Sequence, residues 1–354
     1  SRLLAGAAFS PSALGTAVVD GKPLAGAQMV AALNAAGLDY ATFGNHEFDV
    51  SEASFHDRIR ESKAVWFSGN VRDAAGKPFA GVPDTVVFKV TGAGGGVVTV
   101  GLVGVTLGST KKPWVSSLDP LETAGREARA LRPQVDILVA LTHLSLEQDA
   151  TLAALAPEFD LILGGHEHEN WQLFRGARFT PILKADANAR TAYVHRLVFD
   201  TGTKRLEVRS VLQRVTADIA DDPDAAKVVR DWTERGFAAF RAAGFKPEQV
   251  VALARETYDG KEASVRNHPT NLTDVVAAAM LRDWPEADAA VYNAGSIRID
   301  DDIPPGPITQ YDVLRILPFG GKVLGVELSG SLLARVLEAG RANRGTGGYL
   351  QPAR

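Results

Sequence analysis

The stretch that decides the fold is Val135–His168, VDILVALTHLSLEQDATLAALAPEFDLILGGHEH. Two apolar runs, Val135–Leu141 and Phe159–Leu163, lie inside it. Neither alternates apolar with polar residues along its length, and such near-continuous runs are the pattern of strands buried on both faces of a parallel sheet. Each run is followed at once by histidine: THLS at Thr142–Ser145 after the first, GGHEH at Gly164–His168 after the second. The same arrangement occurs upstream, where Leu38–Phe43 (LDYATF) precedes GNHEFD at Gly44–Asp49. In parallel α/β sheets, sites are assembled at the carboxyl ends of strands. Small residues before each histidine let the backbone turn sharply there.

Working outward, short apolar runs alternate with helical patterns over the first ~215 residues, which predicts a layered α/β domain. Val97–Val105 (VVTVGLVGV) follows a Gly94-Gly95-Gly96 turn signal and reads as a strand. Asp119-Pro120 with Glu122 opens a helix that Arg132-Pro133 closes. Tyr193–Phe199 and Leu206–Leu212 flank a Thr201–Lys204 turn and read as a hairpin. The acidic stretch Asp218–Asp224 and a helical pattern from Ala225 to Ala243, ending at Gly244, read as a linker with a connecting helix. The expected division is therefore a domain over 1–217, a connection over 218–245 and a second domain over 246–354. In the second domain, Val250–Arg255, Ala289–Tyr292 and Val323–Leu328 read as strands. Thr273–Trp284 and Ser331–Ala339 read as helices.

Composition narrows the function. A chain of 354 residues has the length of about two domains, and 45% hydrophobic residues is too apolar for a disordered one. Its longest apolar runs fall short of the ~20 residues of a membrane span. A net charge of −4 gives no electrostatic footprint for a nucleic acid polymer. With no cysteine, thiol catalysis, thiolate metal sites and disulfides are excluded, so a metal would rely on His, Asp, Glu or Asn. Nothing at Ser1 reads as a signal peptide, and the expectation is that any targeting segment is gone or never existed.

Four of the seven histidines lie in the three motifs. A single histidine after a strand is ordinarily a satisfied core or surface residue, whereas three such motifs together argue for an assembled site. Neutral imidazoles with an amide oxygen suit Zn²⁺ or Mn²⁺, with carboxylates completing the set. His46 has Asp49 three residues on, a spacing that lets a carboxylate orient an imidazole as a general acid or transition-state donor. The plainer reading of that pair is a capping contact.

Together GNHEFD, THLS and GGHEH resemble the motifs of the calcineurin-like metallophosphoesterases. Asn293–Arg298 (NAGSIR) followed by Leu317–Gly321 (LPFGG) resembles the C-terminal domain of the 5′-nucleotidases. The resemblance runs through nearly the whole chain and implies an α/β fold: a four-layer β-sandwich flanked by helices, then a smaller α/β nucleotide-binding domain. It also implies a binuclear metal centre (Zn or Mn) that activates water, with Asn45, His143 and His166 on one metal and His168 on the other. His46, oriented by Asp49, would stabilise the phosphoryl transition state. Arg266 and Arg298 would grip phosphate through their planar donor forks, and Asn293 and Phe319 would contact the base. Arg266 has the alternative of a surface arginine, and Phe319 that of a core aromatic.

The implied substrate is a nucleoside 5′-monophosphate or a 2′,3′-cyclic nucleotide, the implied location periplasmic or extracellular, and the oligomeric state stays open. The resemblance further implies rotation between the domains near Asp218–Gly244. Three departures shape the expectation of activity. The family opens with a strand ending in Asp-x-His; the expectation is that no such segment precedes Ser1 and that the chain begins at the family's next strand. Gly6–Ser12 reads GAAFSPS where the family has Gly-Asp-Ala-Phe-Ser-Pro-Ser, so Ala7 takes the place of the aspartate that bridges the metals. The family's chain also continues beyond Gly348–Gln351. A methyl group cannot bridge cations or screen their repulsion, so at most one metal and poor hydrolysis are expected. This predicts either an incomplete or inactivated nucleotidase, favoured because a sheet without its first strand exposes an edge, or a non-catalytic nucleotide-binding paralogue. The related thiosulfohydrolase branch is less favoured, because NAGSIR and LPFGG are intact.

Overall fold

The computed structural model describes residues 1–92, 94–108 and 112–353. The chain forms two units, one of Ser1–Ser10 with Ala25–Trp232, the other of Pro11–Leu24 with the residues from Thr233 onward. The division falls within one helix, Pro223–Ala242. The grouping of Pro11–Leu24 with the later residues is not anticipated by a linear division of the sequence. One physical cause is Leu14, whose side chain packs where a Cβ on Gly236 would stand.

The first unit is built on two sheets. A six-stranded sheet runs in the order Trp171–Arg175, Thr180–Lys184, Leu161–Gly164, Ile137–His143, Val97–Thr106, Thr85–Thr91. Its four inner strands are parallel and its outer two antiparallel. A parallel three-stranded sheet contains Leu3–Ala5, Tyr40–Thr42 and Val65–Trp66. Phe67, Leu102, Val139, Leu141, Leu161 and Leu183 form a core joined by Leu3 and Tyr40 of the smaller sheet. Val103, Val105, Leu138 and Ala140, on the opposite face of the larger sheet, pack with Ala124, Ala128 and Leu152 of the helices Pro120–Leu131 and Leu146–Leu155. Behind the smaller sheet, Phe43 and Trp66 pack with Val30 and Phe55 of the helices Ala27–Ala35 and Glu52–Glu61. The layers are thus helix, sheet, sheet, helix, and burial stabilises each large apolar side chain by roughly 1.5–3 kcal/mol.

Local chemistry sets the element ends. Asp119 caps Pro120–Leu131 by accepting from the Glu122 N–H at 2.8 Å. Ser145 and Gln148 form a capping box that starts Leu146–Leu155 directly after His143. In the hairpin Thr191–Asp200/Arg205–Arg214, the Asp200 carboxylate accepts the Gly202 and Thr203 N–H groups at 2.8 and 2.9 Å. Tyr193, Leu197, Phe199, Leu206 and Val208 of this hairpin join the inter-sheet core.

In the second unit, Val250–Ala254 pairs with Gly306–Thr309 and Ala290–Asn293 with Leu350–Ala353, both antiparallel. Val265, Leu272, Tyr292, Ile297, Ile299 and Ile316 form its core. The helices Asn271–Asp283 and Gly330–Ala342 begin at the caps Thr270 and Ser329. Val323–Leu328, expected as a strand, is not one: among the described residues no strand pairs with it, and Leu324 and Val326 are 78% and 72% exposed. A β-branched run becomes a strand only where a neighbour takes up its backbone hydrogen bonds. No helix among the described residues is long and apolar enough to cross a membrane.

The aromatic cluster gives the first test. Phe55 is fully buried and meets the rings of Phe43, Phe48, Phe79 and Trp114. Phe55→Ala should cost ~3–5 kcal/mol in urea unfolding followed by circular dichroism, and Leu324→Ser under ~0.5 kcal/mol. Similar losses from both would contradict this account of the core.

Candidate active site

Four segments meet at the carboxyl ends of the parallel strands Leu3–Ala5, Tyr40–Thr42, Ile137–His143 and Leu161–Gly164. His143 is the last residue of its strand and 2% exposed. Burial takes its pKa down to about 3, so the ring is neutral. Its Nδ1–H donates to the Ala5 carbonyl at 2.6 Å, a bond from the larger sheet to the smaller. That bond fixes the tautomer and leaves a lone pair on Nε2, which faces Asn45 Oδ1 at 3.0 Å. The His166 ring lies 5.3 Å from the His143 ring, centroid to centroid, and burial also holds its pKa below the usual value.

Such proximity needs bare backbone. A Cβ on Gly44 would stand 2.7 Å from His143 Cε1, and one on Gly165 would stand 2.4 Å from the Ala5 carbonyl oxygen. Ala7, His166 and His168 all have left-handed φ, at 60°, 85° and 60°. Non-glycine residues adopt that region at a cost, and such residues cluster at functional sites.

Asn45, His143 and His166 are thus brought together. His46 Nδ1 lies 2.7 Å from Asp49 Oδ2, within one turn of chain. His168 follows in the same loop as His166, its carbonyl accepting from the Ala187 N–H at 2.9 Å and Arg190 Nη2 at 3.2 Å. Glu47, given no role from sequence, sits at the centre: its buried carboxylate accepts the N–H groups of Ala7 (2.7 Å), Ala8, Phe9 (3.2 Å) and Gly44. Burial pushes its pKa above the usual value against the opposing pull of those four donors. The sequence signal was a glutamate set between His46 and an apolar Phe48, but three of its four partners are ~40 residues upstream.

The donor chemistry suits a divalent cation. Two lone-pair atoms, His143 Nε2 and Asn45 Oδ1, face each other with no proton to share, beside a second deprotonated imidazole. No three His, Cys, Asp or Glu converge as a metal-holding group among the described residues, and Ala7 offers only a methyl.

In the second unit, Arg266 and Arg298 have side chains only 20% and 9% exposed, so Arg266 is not a plain surface arginine. The Glu262 carboxylate lies between them, 2.5 Å from Arg266 Nη1 and 4.0 Å from Arg298 Nη1. Asn293 is exposed, with Nδ2 donating to the Gly347 carbonyl at 3.3 Å and Oδ1 accepting from Ser296 Oγ at 2.8 Å. Phe319 is 60% exposed and therefore not a core aromatic.

The buried, neutral His143 has a signature in acid. The unfolded chain protonates this residue near pH 6.5 and the native state only near pH 3, so its contribution is present above pH 6.5 and lost as pH falls toward 3. In metal-free protein, the stability of wild type relative to His143→Gln should fall by up to ~1.4 kcal/mol per pH unit below pH 6. Parallel stability curves for the two proteins would contradict the buried neutral ring.

Comparison with known proteins adds the lineage. The calcineurin-like phosphoesterase family matches residues 18–170, and the 5′-nucleotidase C-terminal domain matches residues 250–353. The 5′-nucleotidase of Homo sapiens is 25% identical over 372 residues, covering 92% of this chain and 62% of that protein. The crystal structure of a 5′-nucleotidase precursor from Thermus thermophilus matches with TM-score 0.71 at 25% identity, over 89% of this chain and 65% of that one. The Thermus thermophilus sulfate thiohydrolase SoxB shares the fold, with TM-score 0.67 at 17% identity over 89% of this chain and 55% of that one. The chain thus spans less than two thirds of the length of each of these proteins. Residues 18–170 and 250–353 thus match, in this order, the calcineurin-like phosphoesterase family and the 5′-nucleotidase C-terminal domain, the two-domain layout of the 5′-nucleotidases that the chain resembles.

Proposed function

We propose that the chain binds a nucleoside 5′-monophosphate, or a related 2′,3′-cyclic nucleotide, and hydrolyses its phosphate ester, with turnover limited by Ala7. The observation that carries this reading is the facing pair His143 Nε2 and Asn45 Oδ1, with His166 beside them and the His46–Asp49 couple on the adjoining turn. Asn45, His143 and His166 would hold one divalent cation, and His168 a second where one binds. Bound there, a divalent cation supplies Lewis acidity toward a phosphoryl oxygen and lowers the pKa of water.

The remaining roles fall to side chains. Asp49 Oδ2, 2.7 Å from His46 Nδ1, would accept its proton and orient the ring, so that the imidazole could donate to the phosphoryl group as charge develops. In the 5′-monophosphate reaction a water oxygen joins phosphorus, the bond from phosphorus to the ribose 5′ oxygen breaks, and that oxygen takes up a proton. Arg266 and Arg298 would hold phosphate oxygens, Asn293 the edge of the base and the exposed Phe319 ring its face. We place the protein in the periplasm or outside the cell, by analogy with its family.

Ala7 favours one second reading, a nucleotide-binding relative without turnover. Metal content after incubation with excess Zn²⁺ or Mn²⁺ and desalting separates the two, together with calorimetry using AMP in the absence of added metal. Micromolar AMP binding with no metal and no phosphate release would establish the binder. Under the leading reading, Ala7→Asp raises metal from at most one to two per chain. It also raises kcat by more than the ~10–100-fold that an outer-shell partner is worth. In that background His46→Ala lowers kcat and Arg298→Ala raises KM, and equal effects of both on both constants would sink the division of roles.

A further inference from the structure

Behind the turns that carry His143 and His166 lies a lysine shut off from solvent. Lys184 ends the strand Thr180–Lys184 and is 1% exposed. Its Nζ donates to the Leu144 carbonyl at 2.7 Å and to the Gly165 carbonyl at 2.9 Å. The same atom pairs with Asp149 Oδ2 at 2.9 Å and Glu167 Oε2 at 2.5 Å. Asp149, itself fully buried, accepts from Thr142 Oγ1 at 2.7 Å, and Glu167 Oε1 accepts the Leu146 N–H at 2.7 Å.

These contacts close on a short set of residues. Thr142 and Leu144 flank His143, and Gly165 and Glu167 flank His166. The ammonium therefore grips both histidines from their two sides without touching either ring. Its route is equally specific. Gly164 stands opposite Lys184 in the parallel register, and a Cβ there would lie 2.8 Å from Lys184 Cε and 2.9 Å from Asp149 Oδ2. The lysine stem reaches the cluster across a residue with no side chain.

Stability alone does not explain such a group. A buried ammonium costs several kcal/mol in lost hydration, and replacing a buried ion cluster by apolar side chains is often neutral or stabilising. What the cluster supplies is geometry: three N–H donors directed at two carbonyls and the Glu167 carboxylate, with the Asp149 carboxylate beside them as an ion pair, hold two turns at one separation. We propose that Lys184 is a positioning residue that fixes the His143 and His166 imidazoles relative to each other. Its value to a cation rests on the reading of those histidines as ligands, but its grip on the two turns does not.

Two variants test this: Lys184→Met, and the charge-balanced Lys184→Met/Asp149→Asn, which leaves no excess buried carboxylate. Imidazole ¹H–¹⁵N spectra of the metal-free proteins are compared with wild type, followed by Zn²⁺ calorimetry. The expected result is that the His143 and His166 ring signals shift and broaden in both variants while those of His56 and His195 stay in place. Zn²⁺ affinity should then fall ~10–100-fold, the usual loss of an outer-shell partner. If wild type takes up no Zn²⁺ but the two ring signals still move, the metal reading fails and the positioning role stands. Unmoved ring signals in a double variant that unfolds cooperatively overturn the proposal. A double variant that no longer folds makes Lys184 a requirement of the fold and overturns it as well.

Discussion

The hydrogen bond from His143 Nδ1 to the Ala5 carbonyl is the contact on which the site depends. It joins the carboxyl edge of the larger sheet to that of the smaller, at the level where both chains leave their strands. A neutral hydrogen bond adds only about 1 kcal/mol to stability, but leaving either partner unmet in the interior costs more. The penalty for error, rather than the gain, specifies the geometry. Once the ring is neutral and its Nδ1 proton committed, Nε2 can only present a lone pair toward Asn45. Glu47 repeats the logic one loop away, where a single carboxylate collects four N–H groups from Ala7–Phe9 and Gly44.

Much of this was legible in the sequence, for identifiable reasons. Continuous apolar runs disclosed the doubly covered strands Ile137–His143 and Leu161–Gly164, and the histidines at their ends marked turns that the fold brings together. Asp119-Pro120 marked a helix start because capping is a local interaction, complete within three residues. The cross-sheet bonds were not legible: His143 and Ala5 lie 138 residues apart, and nothing local records that they meet. Thr180–Lys184 ends in a charged residue, so its buried ammonium ran against the composition rule that lysine stays outside. Val323–Leu328 failed in the opposite sense, carrying strand composition without a strand partner among the described residues.

Charge follows two different rules in the two units. Around His143 and His166, burial suppresses charge on the imidazoles, and the ions present are kept behind them in the Lys184 cluster. Around Arg266 and Arg298, two guanidinium groups share a mostly enclosed place with the Glu262 carboxylate, 2.5 and 4.0 Å away. An anion arriving there would meet arginines already facing a carboxylate, so its binding energy is the difference between two similar ion pairs rather than the whole of one.

The aromatic cluster behind the smaller sheet has an optical consequence. Trp66 is 2% exposed and stacks on Phe43, ring centroids 5.4 Å apart and planes 19° from parallel. Phe43 immediately precedes Gly44 and the turn that carries Asn45 and His46. An indole so enclosed emits at shorter wavelength than the exposed indoles of Trp171 and Trp284, which are 36% and 42% accessible. The blue edge of the intrinsic emission, shared by Trp66 and the half-buried Trp114 of the same cluster, therefore reports on the packing beneath the turn that holds the first expected ligand, with no label attached.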